Sequence, residues 1–402
     1  MYIDNETDNL FRKEYRQVAK ITVSVPNSAD TFVLTERDIL QGGLSIERDL
    51  FTGSYIELGT TVVSVLKLSL LYGPESNRVP DNATLTVEIG VKKWDAYQWE
   101  NAQVHYVPMG VFHVISTKLY PIQDTNIARD ENPATCDIVA YDNMIKFDKP
   151  VDATQITTPI TVRNLIARIC QLCGVTMASY SGSMVNQNYE VKTIPTGITY
   201  RQLLSQCTFM IASPCASINY AGELIFMWYI QDLEDMFDDD LINFHIELSE
   251  LYNFEMDGGY ICSGLIYNTS DGRSVMYGTE GEGAYFATEY TGCDIFDFDD
   301  YYGPNVPRPL PDPYEDSPLY KIYDWLSMVW DLFVYHLESV PLPWIFPGYQ
   351  MYIHRKGENW ENWIPIWLGH YKFTMNKHTM MNFDMEKPGN RRYTNYYDGS
   401  TQ

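Results

Sequence analysis

The sequence predicts a mainly β fold with α/β insertions. Apolar and polar residues alternate with a period of two in two long regions, residues 20–148 and from Leu248 onward. Between them lie two segments with helical spacing and helix-capping residues. Aromatic residues make up 14% of the chain, with 31 Tyr and 9 Trp, types that suit a pleated, half-buried surface.

The first region reads as short strands. Leu85, Val87, Ile89 and Val91 alternate with Thr84, Thr86, Glu88 and Gly90, and Leu66, Leu68 and Leu70 alternate with Lys67 and Ser69. Further strands are expected at Ile21–Val25, Leu44–Arg48, Tyr55–Leu58, Val111–Ser116 and Cys136–Tyr141. Gly42-Gly43, Gly53, Gly73-Pro74 and Pro80-Asp81-Asn82 punctuate them as turns. Many short strands at this spacing indicate a sandwich or barrel.

The pattern changes at Pro150. Thr161 is placed to cap a helix carrying Val162, Leu165, Ile166, Ile169 and Leu172, with Gly174 just past its end. Thr199 and Gln202 have the spacing of a capping box, and Leu203, Leu204, Cys207 and Ile211 follow at helical spacing. Ser213-Pro214 stops that helix, and a hairpin around Ala221-Gly222 follows. The expected division is therefore 1–150, a strand-rich domain; 151–235, an α/β insert; and 236–402, a second strand-rich domain. In the last, strands are expected at Tyr260–Tyr267, Arg273–Tyr277, Ala284–Tyr290, Tyr349–His354 and Trp363–Met375. A proline-rich loop from Pro304 to Pro318 precedes an apolar stripe, Leu319, Ile322, Leu326, Val329, Trp330, Phe333 and Leu337. That stripe predicts a helix, so the insertion near 304–338 is read as a loop and a helix.

A chain of 402 residues has ample length for two or more domains, and at 45% hydrophobic and 20% charged it is neither disordered nor collagen-like. Its net charge of −25 opposes binding to a phosphate backbone, which needs Lys and Arg. The polar N-terminal residues do not read as a signal peptide, and no apolar run is long enough to span a membrane.

Seven scattered cysteines argue against a secreted disulfide framework. Cys170 and Cys173 have a metal-like spacing, but they sit inside a helical pattern without a second pair, so buried core cysteine is expected. Of the seven histidines, His370 and His378 are separated by a strand and turn and have no ligand partner placed by sequence. No HExxH motif, nucleophile elbow or Walker A loop occurs. Gly278–Gly283 is glycine-rich, but its glutamates would repel phosphate, and it reads as a β-turn. The acidic runs Asp232–Asp240 and Asp294–Asp300 raise a calcium reading without EF-hand order; the first reads as a solvated linker. Glu358 and Glu361, beside Trp360, Trp363 and Trp367, raise a saccharide reading, although the segment reads as a hairpin tip. No catalytic, cofactor-binding or metal residue is assigned, and no enzyme activity is expected.

Several blocks then share one resemblance. Leu34–Leu70, Val87–Val114, Cys136–Val151, the helix at Thr161–Gly174 and the helix–hairpin around Tyr220–Leu224 occur in the order found in baseplate or tail-tip hub proteins of tailed phages, including those of Gram-positive hosts. The match covers residues 30–230 well and the rest by layout. It implies two β-barrel-like hub domains with a smaller α/β domain. It also implies a homotrimer that caps the sixfold tail tube and forms the channel that passes genome DNA. Implied partners are a distal tail protein, tail-tip or fibre proteins and the tape measure protein, in a virion assembled in the host cytoplasm. A C-terminal peptidase or carbohydrate-binding extension, present in some relatives, is not expected here. A carbohydrate-binding or cell-wall-degrading tail protein is the alternative.

Overall fold

Residues 3–13, 16–29, 31–50, 57–72, 79–92, 104–121, 134–179, 184–227, 245–256, 260–278, 285–302, 317–327, 331–348, 350–357, 364–375 and 381–388 are described by the structure, a computed structural model. The chain opens with helix α1 (Asn5–Arg12), then β1 (Gln17–Ser24), β2 (Thr31–Thr35), β3 (Ile39–Asp49), β4 (Thr60–Thr61), β5 (Val65–Tyr72), β6 (Thr84–Lys92), β7 (Val104–Pro121) and β8 (Ala134–Asp142). The insert holds β9 (Ile160–Thr161), α2 (Val162–Cys173), β10 (Glu190–Val191), α3 (Tyr200–Met210), β11 (Cys215–Ile218) and β12 (Leu224–Met227). The remainder holds β13 (His245–Glu247), β14 (Leu251–Met256), β15 (Tyr260–Asn268), β16 (Ser274–Gly278), β17 (Tyr285–Thr291), α4 (Phe298–Tyr302), α5 (Pro318–Ser327), β18 (Asp331–Ser339), β19 (Gln350–His354), β20 (Ile364–Thr374) and β21 (Met381–Pro388).

The protein is mainly β. Sixteen of the described strands join in one sheet whose path runs β16-β15-β18-β21-β20-β3-β5-β8-β7-β6-β1-β2. Among the described strands this path is open rather than closed into two barrels. The two strand-rich regions are continuous through the antiparallel pair β20–β3, which sets Tyr371 opposite Arg48 and Phe373 opposite Ile46. The alternation read from the sequence is the burial pattern of the sheet: Leu85, Val87 and Ile89 of β6 are fully buried while Thr84, Thr86 and Glu88 are half-exposed. At Tyr55–Leu58 the sequence expects a strand. Residues 51–56 lie outside the described residues, Leu58 falls in a bend, and the local strand is β4.

Two helices of the insert form as their caps require. The Thr199 hydroxyl accepts from the backbone N–H of Gln202 at 3.3 Å, and the Gln202 side chain accepts from the Thr199 N–H at 2.9 Å. At α2 the Thr161 hydroxyl alone caps, accepting from the Asn164 N–H at 3.3 Å, and Gly174 ends the helix at φ 66°, the left-handed conformation that glycine adopts without strain. Leu165, Ile166 and Ile169 of α2 and Leu203, Leu204 and Cys207 of α3 are buried against each other. Each fully buried Leu or Ile there contributes roughly 1.5–3 kcal/mol. This core continues into Leu265, Tyr267, Phe296, Leu319 and Ile322. A second core fills the large sheet and includes Trp344, Met351 and Phe373 from the far end of the chain.

The stripe 319–337 departs from expectation. Helix α5 ends at Ser327, and residues 331–339 form β18. Leu319, Ile322 and Leu326 are the helical part of the stripe and are buried. Residues 331–339, DLFVYHLES, are rich in aromatic and β-branched types whose apolar positions fit either period. Pairing decides the matter: β18 has β21 along Leu332–Ser339 and β14 along Tyr335–Ser339. The proline-rich loop before α5 and the acidic run 232–240 lie outside the described residues.

The insert is joined to the sheet by polar groups buried at its base. Arg48 on β3 is 3% exposed. Its guanidinium stands 5.1, 5.2 and 5.8 Å from the ring centres of Tyr220, Phe346 and Tyr371, and it donates to the Met109 carbonyl. Its Nε and Nη1 have no hydrogen-bond acceptor. The Tyr220 hydroxyl donates to the Ile345 carbonyl at 2.7 Å. Asn143 donates from its amide to the Gly222 carbonyl at 2.6 Å and accepts from His113 Nε2 at 2.7 Å. Gly222 has φ 82°, and a Cβ there would lie 2.6 Å from the Asn143 amide, so the hairpin turn needs glycine twice over.

Candidate interaction surface

The clearest unfilled feature is the outer end of β7. Strand β6 pairs with β7 only from Lys92–Val104 to Thr84–His113, and the Val114 N–H then bonds the Ala83 carbonyl at 2.9 Å. Ile115 is skipped at an irregularity, and from Ser116 to Pro121 β7 pairs with β8 alone among the described strands. Among the described strands none pairs with its other edge, the arrangement to which another strand adds.

Several side chains along this edge are apolar and exposed. Ile115, Leu119 and Tyr120 are 45%, 48% and 49% exposed. Leu119 continues a row, Ile39–Leu70–Cys136, whose other members are buried. Tyr120 lies across Thr135 from Leu71, itself 43% exposed. The Thr117 hydroxyl between them is shielded from solvent without a hydrogen-bond partner. Such an edge invites self-association, and Lys118 is the single charged side chain on it. The sequence predicts a strand only over Val111–Ser116, and the end of β6 pairing, which exposes this edge, is not written in local sequence.

The residues singled out from the sequence fall elsewhere. All seven cysteines are buried thiols outside any disulfide. Burial pushes the Cys170 thiol up to about 12 and Cys173 up to about 11, so both are neutral packing groups. His370 faces the Asp49 carboxylate across the β20–β3 pair, while His378 lies outside the described residues. Glu358, Trp360, Glu361 and Trp363 also lie outside them; Trp367 sits on β20 opposite Gln350. Gly278 ends β16, and the rest of its glycine-rich run is outside the described residues.

The Asp294–Asp300 run borders an open cavity of about 330 Å³ together with Lys192, Asp271 and Arg273. Its carboxylates are already engaged. Lys192 reaches Asp297 at 3.4 Å and also Asp300, while Arg273 bonds Asp271 at 3.0 Å and also Asp299. Asp294 accepts from Ser270 at 2.8 Å. Among the described residues no cluster of three ligating side chains is placed to hold a metal ion. No described helix is long and apolar enough to cross a membrane.

No family model matches the sequence, and no curated protein matches it. Solved structures do. The 43 kDa tail protein of prophage MuSo2 from Shewanella oneidensis superposes with a TM-score of 0.52 at 10% identity, over 92% of this chain and 98% of that one. The tail protein from Neisseria meningitidis MC58 gives 0.50 at 8% identity, over 92% and 97%. Prophage tail protein gp18 from Listeria monocytogenes EGD-e gives 0.45 at 11% identity, a likeness too low to add weight. The structural neighbours are phage tail proteins, and the chain has the fold of the first two along nearly its whole length.

Proposed function

We propose that this chain, folded as prophage tail proteins are, is a non-enzymatic structural hub at the distal end of a phage tail. The observation that carries the reading is the shared fold over 92% of the chain and 98% of the Shewanella oneidensis tail protein. The ordered blocks over residues 30–230 support it independently. In this reading the hub is a homotrimer that joins the tail tube to the tip, contacts a distal tail protein, tip or fibre proteins and the tape measure protein, and encloses the channel through which DNA leaves. The exposed β7 edge is a seam by which a neighbouring strand extends the sheet. The charge of −25 supports a channel wall to which DNA does not adhere.

Light scattering of the purified chain, followed by electron microscopy of particles, tests this. Three copies and threefold density at the tail tip are expected. A monomer that is absent from particles would overturn it. The three-part division at 150 and 235 belongs to the same proposal. Limited proteolysis should then cut first in the acidic run Asp232–Asp240, read from the sequence as a linker, and leave fragments on either side.

A further inference from the structure

Two histidines meet where the chain re-enters the large sheet after the insert. His245 opens β13 and His354 closes β19, and the two strands pair in parallel with Ile246 opposite Ile353. His245 Nδ1 lies 2.7 Å from His354 Nε2, and the ring centres are 4.8 Å apart. His354 is 7% exposed.

The protons can be counted. His354 Nδ1 lies 3.0 Å from the Arg355 carbonyl, which can only accept, so that nitrogen carries a proton. The contact between the rings then needs one proton and one lone pair. Either His245 donates to a neutral His354, or a charged His354 donates to a neutral His245. The pair therefore holds with zero or one positive charge. With two charges both facing nitrogens bear protons, and the 2.7 Å contact is lost.

The surrounding charges tie this contact to α1. Arg12 donates to the His245 carbonyl at 2.9 Å and to Glu250 at 2.6 Å, and it pairs with Asp8 at 2.8 Å. Glu247 stands opposite His354 in the strand register and accepts from Ser249; Arg355 follows His354. Burial raises the Asp8 and Glu250 carboxyls, so acid relieves a cost at those two groups and opposes release. The rings are the groups whose charging undoes the strand pair.

We propose that His245 and His354 form a proton-operated latch that fastens β13 to β19 at neutral pH. It lets β13 and the attached α1 go in acid, once both rings are charged. The device would free β13 from β19 in an acidic setting while the rest of the sheet stays intact.

Hydrogen exchange on the full-length protein at pH 7.5 and 5.0, corrected for intrinsic rates, tests this. Protection in 245–250 and 5–12 should fall about tenfold or more at pH 5.0, the change expected from one linked proton per pH unit, while β6 is unchanged. His354→Gln, which cannot titrate, should abolish the difference. Equal wild-type protection at both pH values, or the same acid loss in His354→Gln, would overturn the latch. If that variant does not fold, nitrogen NMR of the wild-type rings decides. Two imidazolium rings with β13 protection intact would refute the proposal, and loss of β13 protection as the second ring charges would support it.

Discussion

Arg48 shows what one buried charge demands. Its guanidinium is held by three aromatic faces and one carbonyl, with two nitrogens lacking acceptors. A cation–π contact of this kind is worth up to about 2 kcal/mol when desolvated. Arg48→Met keeps the volume and removes the buried charge, so its unfolding free energy in urea should stay within about 1 kcal/mol of wild type. Arg48→Ala leaves a cavity under Tyr220 and Phe346 and should cost about 2–4 kcal/mol. Asp142 sits nearby, accepting from the backbone N–H groups of Ser64 at 2.9 Å and Met144 at 3.0 Å. Burial pushes its carboxyl up to about 6, against those hydrogen bonds and the pull of Arg48. A raised carboxyl binds its proton more readily in the folded chain. Its contribution to stability is therefore full below about pH 3.8 and is lost as the pH rises to about 6, at no more than roughly 1.4 kcal/mol per pH unit. Asp142→Asn should flatten that slope in melts between pH 4 and 6; an unchanged slope would assign it to other groups. Neither residue was legible in the sequence. Arg48 reads there as an ordinary polar position on a strand, and its aromatic neighbours come from positions 220, 346 and 371.

At the scale of elements, helix ends were read well because their chemistry is local. Thr161, Gly174 and the Thr199–Gln202 box act within four residues of themselves, and each performs the role its spacing implies. Thr199→Ala should lower stability by about 1 kcal/mol in thermal or urea unfolding; no change would mean that packing alone holds α3. Helix α1 went unread because it is only eight residues long and polar. Its Asp4 cap and buried Leu10 and Phe11 gain meaning from distant partners, such as the Trp344 ring 5.6 Å from Phe11. The stripe at 319–337 was half legible. A spacing of three and four describes Leu319 to Leu326, but beyond Ser327 the backbone pairs of β18 override it. Local pattern cannot register a partner strand that lies about fifty residues downstream.

For the whole molecule, the β7 edge and the net charge make the remaining predictions. Leu119→Glu places a charge where a neighbouring strand would lie. It should leave far-ultraviolet dichroism unchanged and shift the protein from assembly to monomer in light scattering. A trimer that persists would remove this edge from the seam. The chain should also give no gel shift with duplex DNA at about 50 mM salt, where electrostatic binding is strongest. Mainly β architecture was plain from period-two alternation, yet the continuity of both halves in one sheet was not, since it rests on the pairing of β3 with β20. That pair brings together positions 321 apart, Asp49 and His370. Contacts so distant in sequence form slowly, because a long loop must close before they repay it. During synthesis the N-terminal strands emerge with the β3 edge uncovered, and its partner β20 is made only after the helices and hairpin of the insert and most of the later strands. The middle of the sheet thus stays open until β20 has been made, although the strands on either side of the gap are near neighbours in the finished fold.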